Sequence, residues 1–167
     1  MGKPRSKKRS STKAQPEPTF FADRNLGREF AKILRKAGFT VVVHDDYFDQ
    51  STKDVDWLPV ITGKGWIAFS KDKDLRKDEL EVRCILNCGG RVFVAGGKQK
   101  PVDFANLIIQ SKASILRYIR KREKYNPGPF VARLSRDQKR PDTRPAAINI
   151  WLDQEKWDER QRKIRER

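Results

Sequence analysis

Between Thr19 and Ser135 short apolar runs alternate with stretches in which apolar residues recur every three or four positions. TFFA (Thr19–Ala22) reads as a short strand. Leu26, Phe30, Ile33, Leu34 and Ala37 then form one helical stripe that closes at Gly38. FTVVVH (Phe39–His44) is almost continuously apolar, as a strand covered on both faces would be. The loop DDYFDQSTK leads to a second helix around DVDWLPVITGKG, where Pro59 is tolerated only if the helix starts close to Asp56. WIAF (Trp66–Phe69) is a third strand, followed by an amphipathic helix over Asp78–Cys88 that Gly89–Gly90 ends. RVFVA (Arg91–Ala95), a long helix over Pro101–Arg120 and PFVARL (Pro129–Leu134) complete the pattern.

Strands joined by helical connections imply parallel pairing with right-handed crossovers. The expected fold is therefore α/β, a three-layer α/β/α sandwich around a parallel sheet of about five strands. Three regions follow: a basic disordered arm over 1–18, an α/β domain over 19–135, and a charged C-terminal extension over 136–167. The extension has helical potential, since Trp157 and Ile164 stand seven apart. Hydrophobic content is only 37%, but the deficit sits at the ends. Residues 1–14 hold six Lys/Arg and no acid, and 136–167 hold ten Lys/Arg against seven Asp/Glu. The remaining body carries 22 basic and 15 acidic residues and can build a core.

Formal charge +16 points to a polyanionic partner. Against it stands a set of aspartates at strand ends: Asp23 after the first strand, Asp45 and Asp46 after the second, Asp72 and Asp74 after the third. Asp54 and Asp56 open the second helix. In a parallel sheet all of these share the carboxyl edge, where ligands bind. Glu29, Glu81 and Glu155, in helix bodies or the tail, are expected to lie away from it. Two carboxylates about 5 Å apart repel by roughly 3 kcal/mol at an effective dielectric of ~20. A hard divalent cation, Mg²⁺ or Mn²⁺, relieves that repulsion, and an acidic metal site in a basic chain suggests a metal-dependent nuclease. Asp after a strand also caps helices or makes Asx turns, which is the plainer reading of Asp45, Asp46 and Asp54 taken singly.

Cys84 and Cys88 fall on one helical face, and with a single histidine the chain lacks ligands for a Cys/His zinc site. They read as small buried hydrophobes without a disulfide. His44 beside two aspartates is either a general base or, more commonly for such a residue, structural. No apolar run suits a membrane span or a signal peptide, so a cytoplasmic location is expected.

Six segments in order, FFADRNLG, HDDYF, DVDWLP, GWIAFSKDKDLR, RVFVAGG and PFVARLSR, resemble the PIN-like nuclease domains, closest to the VapC-type toxins and Mut7-C-like PIN domains. The resemblance covers about Phe20 to Ser135. It implies a metal-dependent endoribonuclease holding one or two Mg²⁺ or Mn²⁺ ions in a carboxylate cluster, with single-stranded RNA as substrate. By position, Asp23 matches the first-strand acid, Asp72 and Asp74 match the later acids, and Ser70 matches a small hydroxyl residue. The family commonly uses Glu as its middle acid, for which this chain offers Asp54 or Asp56. Arg24, Asn25, Ser70, Lys71, Arg133 and Arg136 are the candidates for contact with the RNA. The resemblance further implies a toxin of a toxin–antitoxin pair, an acidic antitoxin partner and a homodimer. A non-catalytic nucleic-acid-binding or scaffold protein with a PIN-like fold is the alternative, favoured by the missing Glu. A receiver-type phosphoacceptor domain is a third, weakened because only Asp23 follows the first strand.

Overall fold

A computed structural model describes residues 15–140 and 143–167. The first fourteen residues of the expected basic arm lie outside the described residues. Strands β1 (Thr19–Ala22), β2 (Thr40–Val43), β3 (Ile67–Ser70), β4 (Arg91–Ala95) and β5 (Phe130–Ser135) run parallel. A sixth, β6 (Ala147–Leu152), pairs antiparallel with β5, giving the order β2-β1-β3-β4-β5-β6. The sheet thus extends beyond the five strands expected and past Ser135. The residues INIWL, read as part of a tail, supply its edge.

Alternation along the buried strands sorts the core into two layers. Phe20, Phe69 and Phe93 face α1 (Gly27–Lys36), α4 (Pro101–Gln110) and α5 (Lys112–Tyr125), meeting Phe30, Phe104 and Ile115. Phe21, Ala68, Val92 and Val94 face α2 (Asp54–Gly63) and α3 (Glu79–Cys88), meeting Trp57, Leu58, Val82 and Ile85. A final helix, α6 (Gln154–Arg165), follows β6. Among the described residues no helix is long and apolar enough to cross a membrane.

Two further differences from the sequence expectation have local causes. The long helix over Pro101–Arg120 is two helices broken at Ser111, a buried residue whose hydroxyl accepts the Ala146 amide at 2.7 Å and so ties the approach to β6. In α2, Pro59 lies six residues in and cannot donate to the Val55 carbonyl four residues back. The Cys84 thiol donates to that carbonyl at 3.5 Å instead. Cys84 and Cys88 are free, half-buried and packed against α2, where Cys88 reaches the Thr62 hydroxyl at 3.7 Å.

Candidate active site

β1 and β3 are neighbours whose crossovers run apart, from β1 to β2 on one side and from β3 to β4 on the other. Their divergence opens a crevice at the carboxyl ends of β1 and β3. Asp23 sits at its base, 3% exposed, its amide donating to the Phe69 carbonyl at 3.0 Å and continuing the β1–β3 ladder. The Ser70 hydroxyl, fully buried at the end of β3, donates to Asp23 Oδ2 at 2.7 Å and accepts the Asp72 amide at 3.0 Å. Asn25 joins the two loops: its Nδ2 reaches Ser70 Oγ at 3.4 Å and its Oδ1 accepts the Lys71 amide at 3.2 Å. Asp23 Oδ1, buried as well, has no hydrogen-bond partner.

Above this base, carboxylate oxygens of Asp54, Asp72 and Glu81 lie within 4.8 Å of one another. Each comes from a different element. Asp54 opens α2 and is steadied by the Trp57 indole, which donates to its Oδ1 at 3.0 Å. Asp72 follows β3, and its Oδ1 accepts the Asp74 amide at 2.7 Å in an Asx turn. Glu81 lies in the first turn of α3, capped by Asp78, whose carboxylate accepts the Leu80 and Glu81 amides. Helix N-termini carry partial positive charge, which eases the placing of carboxylates there.

Glu81 corrects the sequence expectation. Expected among the helix-body acids, away from the edge, it belongs to the carboxylate group. The reason is topological: in a parallel sheet with helical crossovers, the start of each helix shares the strands' carboxyl edge. A signal was available, since Glu81, Cys84 and Cys88 form one stripe of α3, and both cysteines face α2. The other expected acids separate. Asp56 is exposed on α2 and outside the converging group. Asp74 is 70% exposed in its side chain and pairs with Lys77 at 2.8 Å, so the site receives its amide and not its carboxylate. Asp46 pairs with Arg28 at 3.1 Å on the surface. His44 is buried among Phe21, Phe48 and Trp57, with neither ring nitrogen hydrogen-bonded and Nδ1 3.5 Å from Asp45 Oδ1. Arg24 donates to the Gln50 carbonyl, and Arg136 follows the end of β5.

The electrostatics reflect this crowding. Burial, only partly offset by the Ser70 hydrogen bond, raises Asp23 to about 6, with Asp54 adding repulsion. Burial also raises Asp54, against the Trp57 hydrogen bond. Glu81 is raised to about 7 by burial and then by Asp54 and Asp72. Asp74, beside Lys77, is lowered and stands apart from the group. Three hard oxygen donors within 4.8 Å of one another, with an unpartnered buried carboxylate oxygen behind them, fit a divalent cation.

Residues 18–97 match the family described as PIN like domain. A curated protein of Mycobacterium tuberculosis named "Putative ribonuclease VapC45" is 33% identical over 117 residues, covering 66% of this chain and 81% of that protein. No solved structure matches the chain significantly. The topology, the crevice between β1 and β3 and these two matches together establish that the chain belongs to the PIN-like domain family, in its VapC-type branch.

Proposed function

We propose that this protein is a metal-dependent endoribonuclease, the toxin of a toxin–antitoxin pair, hydrolysing phosphodiester bonds in cytoplasmic RNA. The observation that carries the reading is the convergence of Asp54, Asp72 and Glu81 over buried Asp23. These residues would hold a divalent cation, which when bound lowers the pKa of water and stabilises charge developing at phosphorus. The chain's own groups do the rest. Ser70 and Asn25 fix the two loops that carry Asp23 and Asp72, so the acids need no rearrangement on binding. Trp57 holds Asp54 in place, and its buried ring packs tilted against Phe21 at 4.9 Å between centroids. Glu81, raised to about 7, exchanges protons near neutral pH before any cation is bound. Arg24 and Lys71 at the mouth, with Asn25, supply donors for phosphate oxygens. The strongly basic chain would suit an acidic antitoxin that covers the crevice.

The want of a glutamate speaks for the non-catalytic alternative, and Glu81, grouped with Asp54 and Asp72, speaks against it. The test is cleavage of an end-labelled single-stranded RNA with Mn²⁺, with Mg²⁺ and with chelator. Cleavage is expected only with metal, and Asp72→Asn and Glu81→Gln should each lower it at least a hundredfold while the fold survives. Undiminished cleavage by both variants would refute the site.

A further inference from the structure

We propose that Arg76, Trp151 and Arg133 form an arginine cradle that holds the backbone of the RNA strand beside the cleavage site. The inference deepens the nuclease reading and rests on it. Ser70, Val94, Arg133 and Asn149 are consecutive partners across β3, β4, β5 and β6, one row of the sheet. The side chains of Ala68, Val94 and Val131 lie in the layer facing α2 and α3, so alternation puts Ser70 and Arg133 on that face too. With strands spaced about 4.8 Å, Arg133 lies about 10 Å from Ser70, straight across from the carboxylates. Arg76 approaches from the other direction, on the turn that follows Asp72 and Asp74.

Trp151 brings the two arginines together. Ala132 pairs with Ile150 and Val131 with Leu152, which makes Trp151 the extra residue of a β-bulge. The bulge keeps Trp151 and Leu152 both in the α2/α3 layer, while Ile148 and Ile150 pack on the opposite one. The ring so placed carries the Arg76 guanidinium at 4.1 Å from its centroid and that of Arg133 at 5.6 Å. The two cations are therefore within about 10 Å of each other, about one screening length in physiological salt. Among the described residues neither has an ion pair or a side-chain hydrogen bond, and Arg133 Nε is buried without a partner. Five other arginines are matched to acids: Arg28 to Asp46, Arg83 to Glu79, Arg91 to Glu123, Arg122 to Asp153 and Arg144 to Asp137. Unmatched, ring-oriented guanidinium groups in line with a phosphodiester site fit phosphate oxygens, which they bind in a fork. Two of the three cradle residues, Arg133 and Trp151, come from β5 and β6, beyond the residues 18–97 that match the family.

The experiment measures binding of a short, fluorescein-labelled single-stranded RNA by anisotropy. It uses the full chain carrying Asp72→Asn, with EDTA, across a series of salt concentrations. Losing two phosphate contacts should flatten the plot of log affinity against log salt by about 1.4 and weaken binding about tenfold at 0.15 M salt. Arg76→Gln/Arg133→Gln is expected to do this. Lys36→Gln/Arg120→Gln removes equal charge from the opposite layer and should change binding less. Trp151→Leu, which changes no charge, should also weaken binding by releasing the two guanidinium groups. Melting curves verify that each variant is folded. An arginine double variant that binds RNA with unaltered affinity and slope overturns the cradle and leaves it to a protein partner. A wild-type chain that binds RNA but never cuts it with Mn²⁺ sinks the nuclease reading instead, which separates the two failures.

Discussion

Replacing Glu81 by Gln should have opposite effects on stability and on metal binding. Its carboxylate oxygen lies within 4.8 Å of one from Asp54 and one from Asp72. At an effective dielectric of ~20 each ionised pair at that separation costs about 3.5 kcal/mol. The group is only half-buried, and Glu81 with its pKa near 7 escapes part of the repulsion by taking up a proton. A realistic gain on neutralising it, at pH 8 and without metal, is therefore about 1–2 kcal/mol. For a chain of this size that is a rise of roughly 2–8 °C in Tm. At pH 5 Glu81 is already protonated, Gln is nearly isosteric with it, and the rise should vanish. With Mn²⁺ the order reverses. A wild-type site at a hundred times its Kd gains about 2.7 kcal/mol by mass action, and the variant, short of one ligand, gains less. The assay is thermal melting of both proteins at pH 5 and pH 8, in EDTA and in Mn²⁺. A variant no more stable than wild type in EDTA at pH 8, with an undiminished response to Mn²⁺, would refute the convergence of the three carboxylates.

Three other outcomes follow from the same geometry. Asp74→Asn should keep cleavage within a few-fold of wild type in the metal-dependent RNA assay, because its side chain is exposed and paired with Lys77; a loss as large as that of Asp72→Asn would return Asp74 to the site. Asp23 is raised from 3.8 to about 6, so the native state holds its proton more tightly than the unfolded chain. Its contribution is full below about pH 4 and is lost as pH climbs through 6, up to about 3 kcal/mol in metal-free protein, and urea titrations should show that part of the slope missing from Asp23→Asn. Gly96→Ala should destabilise by about 1–3 kcal/mol, since an added Cβ would stand 2.8 Å from Ser135 Cβ and 2.9 Å from the Leu134 carbonyl; an unchanged midpoint in urea would show that β5 gives way there.

Periodicity and strand-end acids determine much of this fold. The five parallel strands, the helices between them and the placing of Asp23, Ser70 and Asp72 at the carboxyl edge all follow from runs such as TFFAD and WIAFSKD. These features are local: a strand's alternation and the residue that ends it are set within a few positions. The resemblance to PIN-like domains was legible for the same reason, being carried by strand-end segments in order. The edge strand was not. INIWL sits in a highly charged stretch, and its apolar positions acquire a partner only when β5 lies beside them.

Sequence alone could therefore fix which acids cap the strands, because chain direction and alternation decide that without reference to distant residues. Only the folded molecule decided which carboxylates meet. Asp54, Asp72 and Glu81 are brought together by the packing of α3 on α2, across which the thiols of Cys84 and Cys88 reach the Val55 carbonyl and the Thr62 hydroxyl. The same holds for Trp151, whose side is set by a bulge that appears when β6 pairs with β5. Convergence is a property of distances between elements far apart in the chain, and no spacing along the sequence encodes it.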